Sequence, residues 1–290
     1  MMYDLAVYLP GGAVLLVVCK FIVESLLGHP IVPTLIPKDG DSINLVIRAI
    51  LWVSASYLAG HLGAFASTYL IEKFVHNSLG YPSDIWLETE KQNGPIGKYQ
   101  DLREIFTDKI HNTRLNLVSI AILILQIPAF LPIIFFYFVK PFGFYAPKIP
   151  SNLLPAVQKQ FCKLHIDVKI EQGSRWEKLV EHFVANHCPL AYTRMYNYLV
   201  IYGALRLISF ILLLVCWYLT IDDLLVKFNH GQNFTINYVR TLFYFSMSGI
   251  YIVSVMAFAK FNRRYFEETI LAFILAPNSL KELVGGPRIS

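Results

Sequence analysis

Arg206 stands inside the apolar run Tyr196 to Thr220. At about 1.5 Å per residue it lies roughly 15 Å from the start of that run, near the middle of a bilayer's hydrocarbon. A guanidinium keeps its proton, and at that depth an isolated one costs about 2.5 to 3.5 kcal/mol on insertion scales. It must therefore face a carboxylate, water or freed backbone carbonyls. Glu24 and Glu72 are the candidate acids, and carbonyls near Pro10 or Pro128 are the alternative. Two roles follow: an internal ion pair that fixes helix packing, or the lining of a polar path.

Other residues offer less chemistry. Lys20 and Glu24 sit one helical turn apart and can pair with each other or reach the headgroups. His61, inside a second apolar run, must hydrogen-bond there, in a helix contact or in a proton-linked or gating role. Around it Ala55, Ala59 and Gly63 recur every four residues toward Ser67, and Ser56, Gly60 and Ala64 toward Thr68. Small residues at that spacing let two membrane helices approach closely, and an oligomeric channel would associate its subunits through this second span. His182 and His187 are five apart and followed by Cys188, which does not match the i, i+4 zinc arrangement, so no metal is expected. No phosphate loop, nucleophile elbow or paired-carboxylate motif is present, so no cofactor is expected and the reading leans away from an enzyme.

The elements that position these residues are apolar and long. Hydrophobic residues make up 55% of the 290 and charged residues 16%, against roughly 25% in an average soluble domain. Leu5–Leu27, Leu45–Leu70, Leu115–Val139, Tyr196–Thr220 and Tyr238–Ala259 each approach or exceed the roughly 20 residues that cross hydrocarbon as a helix. The fold class is therefore an all-α polytopic membrane protein with four to five transmembrane helices and a small, mainly helical cytoplasmic portion. Lys20 and Glu24 within the first run argue that it is retained rather than cleaved as a signal peptide. The four cysteines have no metal spacing and read as reduced thiols.

Residues 1–73 form an N-terminal transmembrane hairpin, with Pro10-Gly11-Gly12 marking a break or a close helix contact. Residues 74–114 are polar and hold an amphipathic helix at Tyr99–His111; 115–140 is the third membrane segment; 141–195 is a second polar segment. In it the alternation of Leu164, Ile166, Val168 and Ile170 predicts a short strand at Cys162–Ile170. The Ser174-Arg175-Trp176-Glu177 capping box predicts a helix to His187. Pro189 suits the first turn of a helix that runs on into the fourth span. Residues 196–260 are the C-terminal transmembrane hairpin, and 261–290 a helical tail whose helix Pro277 stops.

Orientation follows lysine and arginine at the span ends. Lys73, Lys109 and Arg114 mark one loop, Lys140, Lys148 and Arg194 the next, and Lys260, Arg263 and Arg264 the tail; all three want the cytoplasm, while Asp222 and Asp223 mark an outer loop. A third segment that crosses once cannot put both its flanks inside. Pro128 and Pro132 break its middle, so it is either a kinked crossing, which its length favours, or re-entrant. The expected location is the plasma membrane, or the inner membrane of a bacterium, with the C-terminus cytoplasmic.

These features exclude nucleic acid as a partner: the net charge of +5 follows from topology alone. They point first to an oligomeric ion channel or pore-like effector, a homo-oligomer in the lipid bilayer gated through its cytoplasmic portion, with Arg206, His61, Lys20, Glu24 and Glu72 as its polar residues. A non-conducting sensor or scaffold recruiting a soluble cytoplasmic protein is the alternative, and a membrane-embedded enzyme using His61, His182 or His187 a distant third.

Overall fold

A computed structural model describes residues 2–27, 42–79, 81–91, 124–129, 153–164, 166, 168, 170, 176–230 and 238–276. Every regular element among them is helical: α1 (Met2–Leu27), α2 (Ser42–Ser67), a π turn (Thr68–Glu72), α3 (Lys73–Leu79), α4 (Pro82–Lys91), a 3₁₀ turn (Ile127–Ala129), α5 (Leu154–Lys163), α6 (Trp176–His187), α7 (Pro189–His230) and α8 (Tyr238–Leu275). Four stretches are long and apolar enough to cross a membrane: Val7–Leu27, Val46–His76, Pro189–Leu225 and Tyr238–Leu275. Their outward residues are apolar, among them Phe21 on α1, Leu51, Leu58 and Phe65 on α2, and Leu242 and Val253 on α8, each more than half exposed. A soluble surface does not carry apolar area on that scale.

The chain divides into two compact units. The first holds Met1–Asn77, Arg114–Pro141 and Tyr202–Phe258; the second holds Ser78–Thr113, Phe142–Ile201 and Ala259–Ser290. α7 and α8 contribute to both, and the reason is length. Their apolar stretches of 37 and 38 residues rise about 55 Å, nearly twice the roughly 30 Å of hydrocarbon.

In the first unit α7 and α8 run antiparallel: Tyr202 lies against Phe258, Ser209 bonds Ser254, and Asp222 pairs with Arg240 at the far end. α1 runs alongside α7 in the same direction, with Gly11 at Leu207 and both Phe21 and Ser25 at Tyr218. Pro10 does not break α1, which is continuous to Leu27. The Pro-Gly-Gly signal is a close contact instead. A Cβ on Gly12 would overlap the Ser56 carbonyl oxygen and the Gly60 backbone, and one on Gly60 the Tyr8 carbonyl.

The second unit closes around aromatic rings drawn from each of its chain blocks. Trp86 of α4, Trp176 of α6 and Phe266 of α8 pack together, with centroid separations of 6.0, 6.1 and 6.3 Å. Val157 and Phe161 of α5, Val180 and Val184 of α6, and Ile270 and Phe273 of α8 complete the core. α7 and α8 are antiparallel here too, with Arg194 3.2 Å from Glu268 and Tyr198 facing Phe261.

α6 begins at Trp176 and α7 at Pro189, as the sequence predicts, and α8 runs on past Lys260 to Leu275. The expected strand is corrected. Cys162 and Lys163 close α5, and Ile166, Val168 and Ile170 are neither strand nor helix. Leu154, Val157, Phe161 and Leu164 have helical spacing and a core to pack on, and that burial outweighs the two-residue alternation read across the same stretch. The Tyr99–His111 helix lies outside the described residues, as do most of residues 115–140.

Candidate functional site

Arg206 is buried, at 8% exposure, and its partner is Glu72: the guanidinium Nη1 donates to the Glu72 carboxylate. The pairing answers the desolvation cost of a buried guanidinium. Tyr202, one turn earlier on α7, places its ring 5.7 Å from the guanidinium carbon. His76, four residues after Glu72 and buried, lies within the field of Arg206.

Glu72 reaches this position through a local departure from the α-helix. At Thr68–Glu72 the chain winds a π turn, in which the Lys73 N–H bonds the Thr68 carbonyl. Ser67 and Thr68 both donate their hydroxyls to the Ala64 carbonyl, at 2.8 and 3.0 Å, just where the winding loosens. Such bulges release a carbonyl from the helix ladder and rotate the residues that follow. The Leu70 carbonyl is taken by Gln126, whose Nε2 donates to it at 2.8 Å.

Gln126 ties the short described stretch 124–129 to the rest of the first unit. It occupies a turn between helical Leu125 and the 3₁₀ turn at Ile127–Ala129, and is 1% exposed. Pro128 cannot donate to the helix ladder, which is why the winding changes there. Beside its bond to Leu70, Gln126 accepts the Tyr251 hydroxyl on Oε1 at 2.7 Å. The Leu125 carbonyl accepts Trp217 Nε1 at 2.8 Å, and the Pro128 carbonyl accepts the Tyr244 hydroxyl.

These bonds belong to a longer seam. On α8, Tyr244, Ser248, Tyr251 and Ser254 recur at steps of four, three and three, one face of a helix. Ser248, Tyr251 and Ser254 are at most 6% exposed. Facing them on α7, Ser209 donates to Ser254 at 2.9 Å, and Thr220 donates to the Cys216 carbonyl of its own helix at 2.9 Å. The Ser248 hydroxyl is buried without a hydrogen-bond partner among the described residues. Beyond Tyr244, Arg240 pairs with both Asp222 and Asp223. Polar groups thus recur along α7 and α8 between the Glu72–Arg206 pair and the Arg240 pairs with Asp222 and Asp223; Ser209, Ser248, Tyr251 and Ser254 in this column are buried, while Tyr244, Arg240 and Asp223 are partly exposed.

The structure places the remaining sequence candidates apart from this column. Lys20 and Glu24 pair along α1 at 3.8 Å, partly exposed. His61 lies between the rings of Tyr8 and Tyr57, at 4.3 and 4.5 Å, in the contact of α1 with α2. Ser56, Ala59, Gly60, Gly63, Ala64 and Ser67 are buried, whereas Ala55 faces outward. α1 occupies that stripe within the same chain. His187 bonds the Phe183 carbonyl at 2.9 Å and stacks on its ring, and burial pushes the neighbouring Cys188 thiol up. Among the described residues no group of three or more His, Cys, Asp or Glu is placed to hold a metal.

Gln126, Ser209, Tyr251 and Ser254 escape a reading that looks only for charge. For Tyr251 and Ser254 the signal was the helical spacing of polar residues inside the last apolar run; Gln126 and Ser209, in the third and fourth runs, carry no such pattern. No protein-family model, no curated protein and no solved structure matches this chain.

Proposed function

We propose that the protein is a multi-pass membrane channel with four crossings, a re-entrant third segment and its polar unit in the cytoplasm. The observation that carries this reading is the packing of Trp86 on Trp176. The chain leaves the polar unit at Thr113, enters the apolar unit over Arg114–Pro141, and rejoins the polar unit at Phe142. A segment whose two flanks share one aromatic core returns to the side it came from. This favours re-entry over the kinked crossing that length alone suggests, and it lets all three basic regions lie inside. Irregular backbone at membrane depth is tolerated only where protein covers it or where it lines a polar cavity. The turn around Gln126 meets that condition: the Leu125 and Pro128 carbonyls accept from α7 and α8, and the Gln126 amide bonds the π turn and α8.

With α1 on the small-residue stripe, the reading needs no second copy to complete a polar route. The column along α7 and α8 is the candidate path, and the continuation of both helices into the polar unit offers the means of gating it. Purified protein in planar bilayers tests the reading: current lost on Arg206→Leu supports it, and membranes silent across voltage and pH contradict it. A non-conducting scaffold is the second reading, favoured by the closed core that three separate chain blocks build in the polar unit.

A further inference from the structure

We infer that the surface α7 and α8 present to lipid is Tyr202–Asp222 and Arg240–Phe258, one bilayer thick, so that Arg206 stands at the inner rim of the hydrocarbon and not at its middle. The partner this surface fits is the bilayer itself. The inference rests on the membrane placement proposed above and not on conduction.

Three observations bound the surface. The first is length and charge. Asp222, Asp223 and Arg240 close one end as partly exposed ion pairs, and exposed Lys260 follows Phe258 at the other. Twenty residues separate Tyr202 from Asp222 and eighteen separate Arg240 from Phe258. Those are rises of about 30 and about 27 Å, against roughly 30 Å of hydrocarbon. Within them the two helices carry one charged residue, Arg206, and the outward Ile208, Ile250 and Val253 are 46 to 64% exposed.

The second observation is where the aromatic rings collect. Tyr202 lies against Phe258 at the inner end, while Trp217, Tyr218 and Tyr244 stand at the outer end with Phe21 of α1 on Tyr218. Rings with one apolar and one polar edge gather at the two faces of a bilayer. On α1 the partly exposed Lys20–Glu24 pair brackets Phe21 and so belongs to the same outer belt. The third observation is the division of the chain: the first unit takes up α7 at Tyr202 and leaves α8 at Phe258. That boundary reflects packing and owes nothing to hydropathy.

Hydropathy alone misplaces the rim for a physical reason. Met195 on α7, and Phe266, Ile270 and Phe273 on α8, are apolar because they build the core of the second unit, so the apolar pattern runs on past the lipid. With the rim at Tyr202, Arg206 lies about 6 Å inside the hydrocarbon and about 24 Å from Asp222. At that depth an arginine is within reach of the headgroups, so its desolvation is smaller than at the midplane. On the channel reading the Glu72–Arg206 pair is then a mouth and not a midway barrier.

Nitroxides attached one at a time to a cysteine-free full chain in phospholipid vesicles test the inference, through their collisions with oxygen and with a water-soluble nickel chelate. The label at Ile250→Cys should lie about 12 Å deeper than the label at Ile201→Cys, beside the rim. A difference near about 5 Å, expected if Tyr196–Thr220 were the segment in hydrocarbon, overturns it. The unfolding temperature across lipids of increasing chain length should peak near about 30 Å of hydrocarbon. A peak in much thicker bilayers, matched to the whole 37-residue apolar stretch, also overturns it. A chain that does not float with the vesicles, or labels open to the chelate at both sites, overturns the membrane placement and the inference together.

Discussion

Trp86 and Trp176 pack with ring centroids 6.0 Å apart, although residues 115–140 lie between them in sequence. On the re-entrant reading proposed above, this shared core keeps both flanks of that segment in one compartment. Tags placed near Lys98 and Gln172 are therefore expected to be cut together by protease added to one face of sealed vesicles. Protection of one tag and cleavage of the other would mean that residues 115–140 cross once.

The Glu72–Arg206 pair gives a stability prediction. Removing one member of a buried pair leaves an uncompensated charge, so Arg206→Leu should destabilise by about 3 to 5 kcal/mol. The double variant Arg206→Leu, Glu72→Leu should recover a large part of that loss. Unfolding of the three proteins in one detergent measures it. Additive losses would show that the two side chains do not depend on each other.

Glycines in the first unit differ sharply in what surrounds them. Gly12 meets the α2 backbone, so Gly12→Leu should separate α1 from α2 and lower the unfolding temperature. A Cβ at Gly249 meets nothing within 4 Å. Gly249→Ala should be neutral or stabilising, by up to about 1 kcal/mol, because alanine restricts the unfolded chain and favours helix. Thermal scans of both variants under identical conditions test the contrast.

Burial raises the Cys188 thiol pKa above the usual 9.0, which lowers its thiolate fraction at any given pH. In a variant with Cys188 as the sole cysteine, the midpoint of the alkylation rate against pH should lie above that of the denatured protein. The sign for stability follows: the native state holds the proton more tightly, so this contribution is present at neutral pH and falls as pH rises through the ordinary thiol range. Coincident midpoints would place Cys188 in water.

Much of this architecture was legible in the sequence. Pro189 opening α7, the run of α8 past Lys260, the Lys20–Glu24 pair and Glu72 as a partner for Arg206 all follow from depth, spacing and capping rules. What was hidden depends on packing between distant segments. The π turn at Thr68–Glu72 has no propensity signature of its own; it is coupled to Gln126, which takes the Leu70 carbonyl. The strand expected at Cys162–Ile170 shows the opposite problem, since alternation and helical spacing overlap in the same residues and only the aromatic core of the polar unit decides between them. Spacing alone could not say that α1 of the same chain packs against the small residues of α2, where the expectation was association between copies.

The most direct test of the central claim is the current through planar bilayers containing the purified chain, recorded with different pH on the two sides. The account predicts a current that is present in the native chain and disappears in Arg206→Leu. A membrane that stays silent at every voltage and pH, with the protein shown to be folded and inserted, would contradict it.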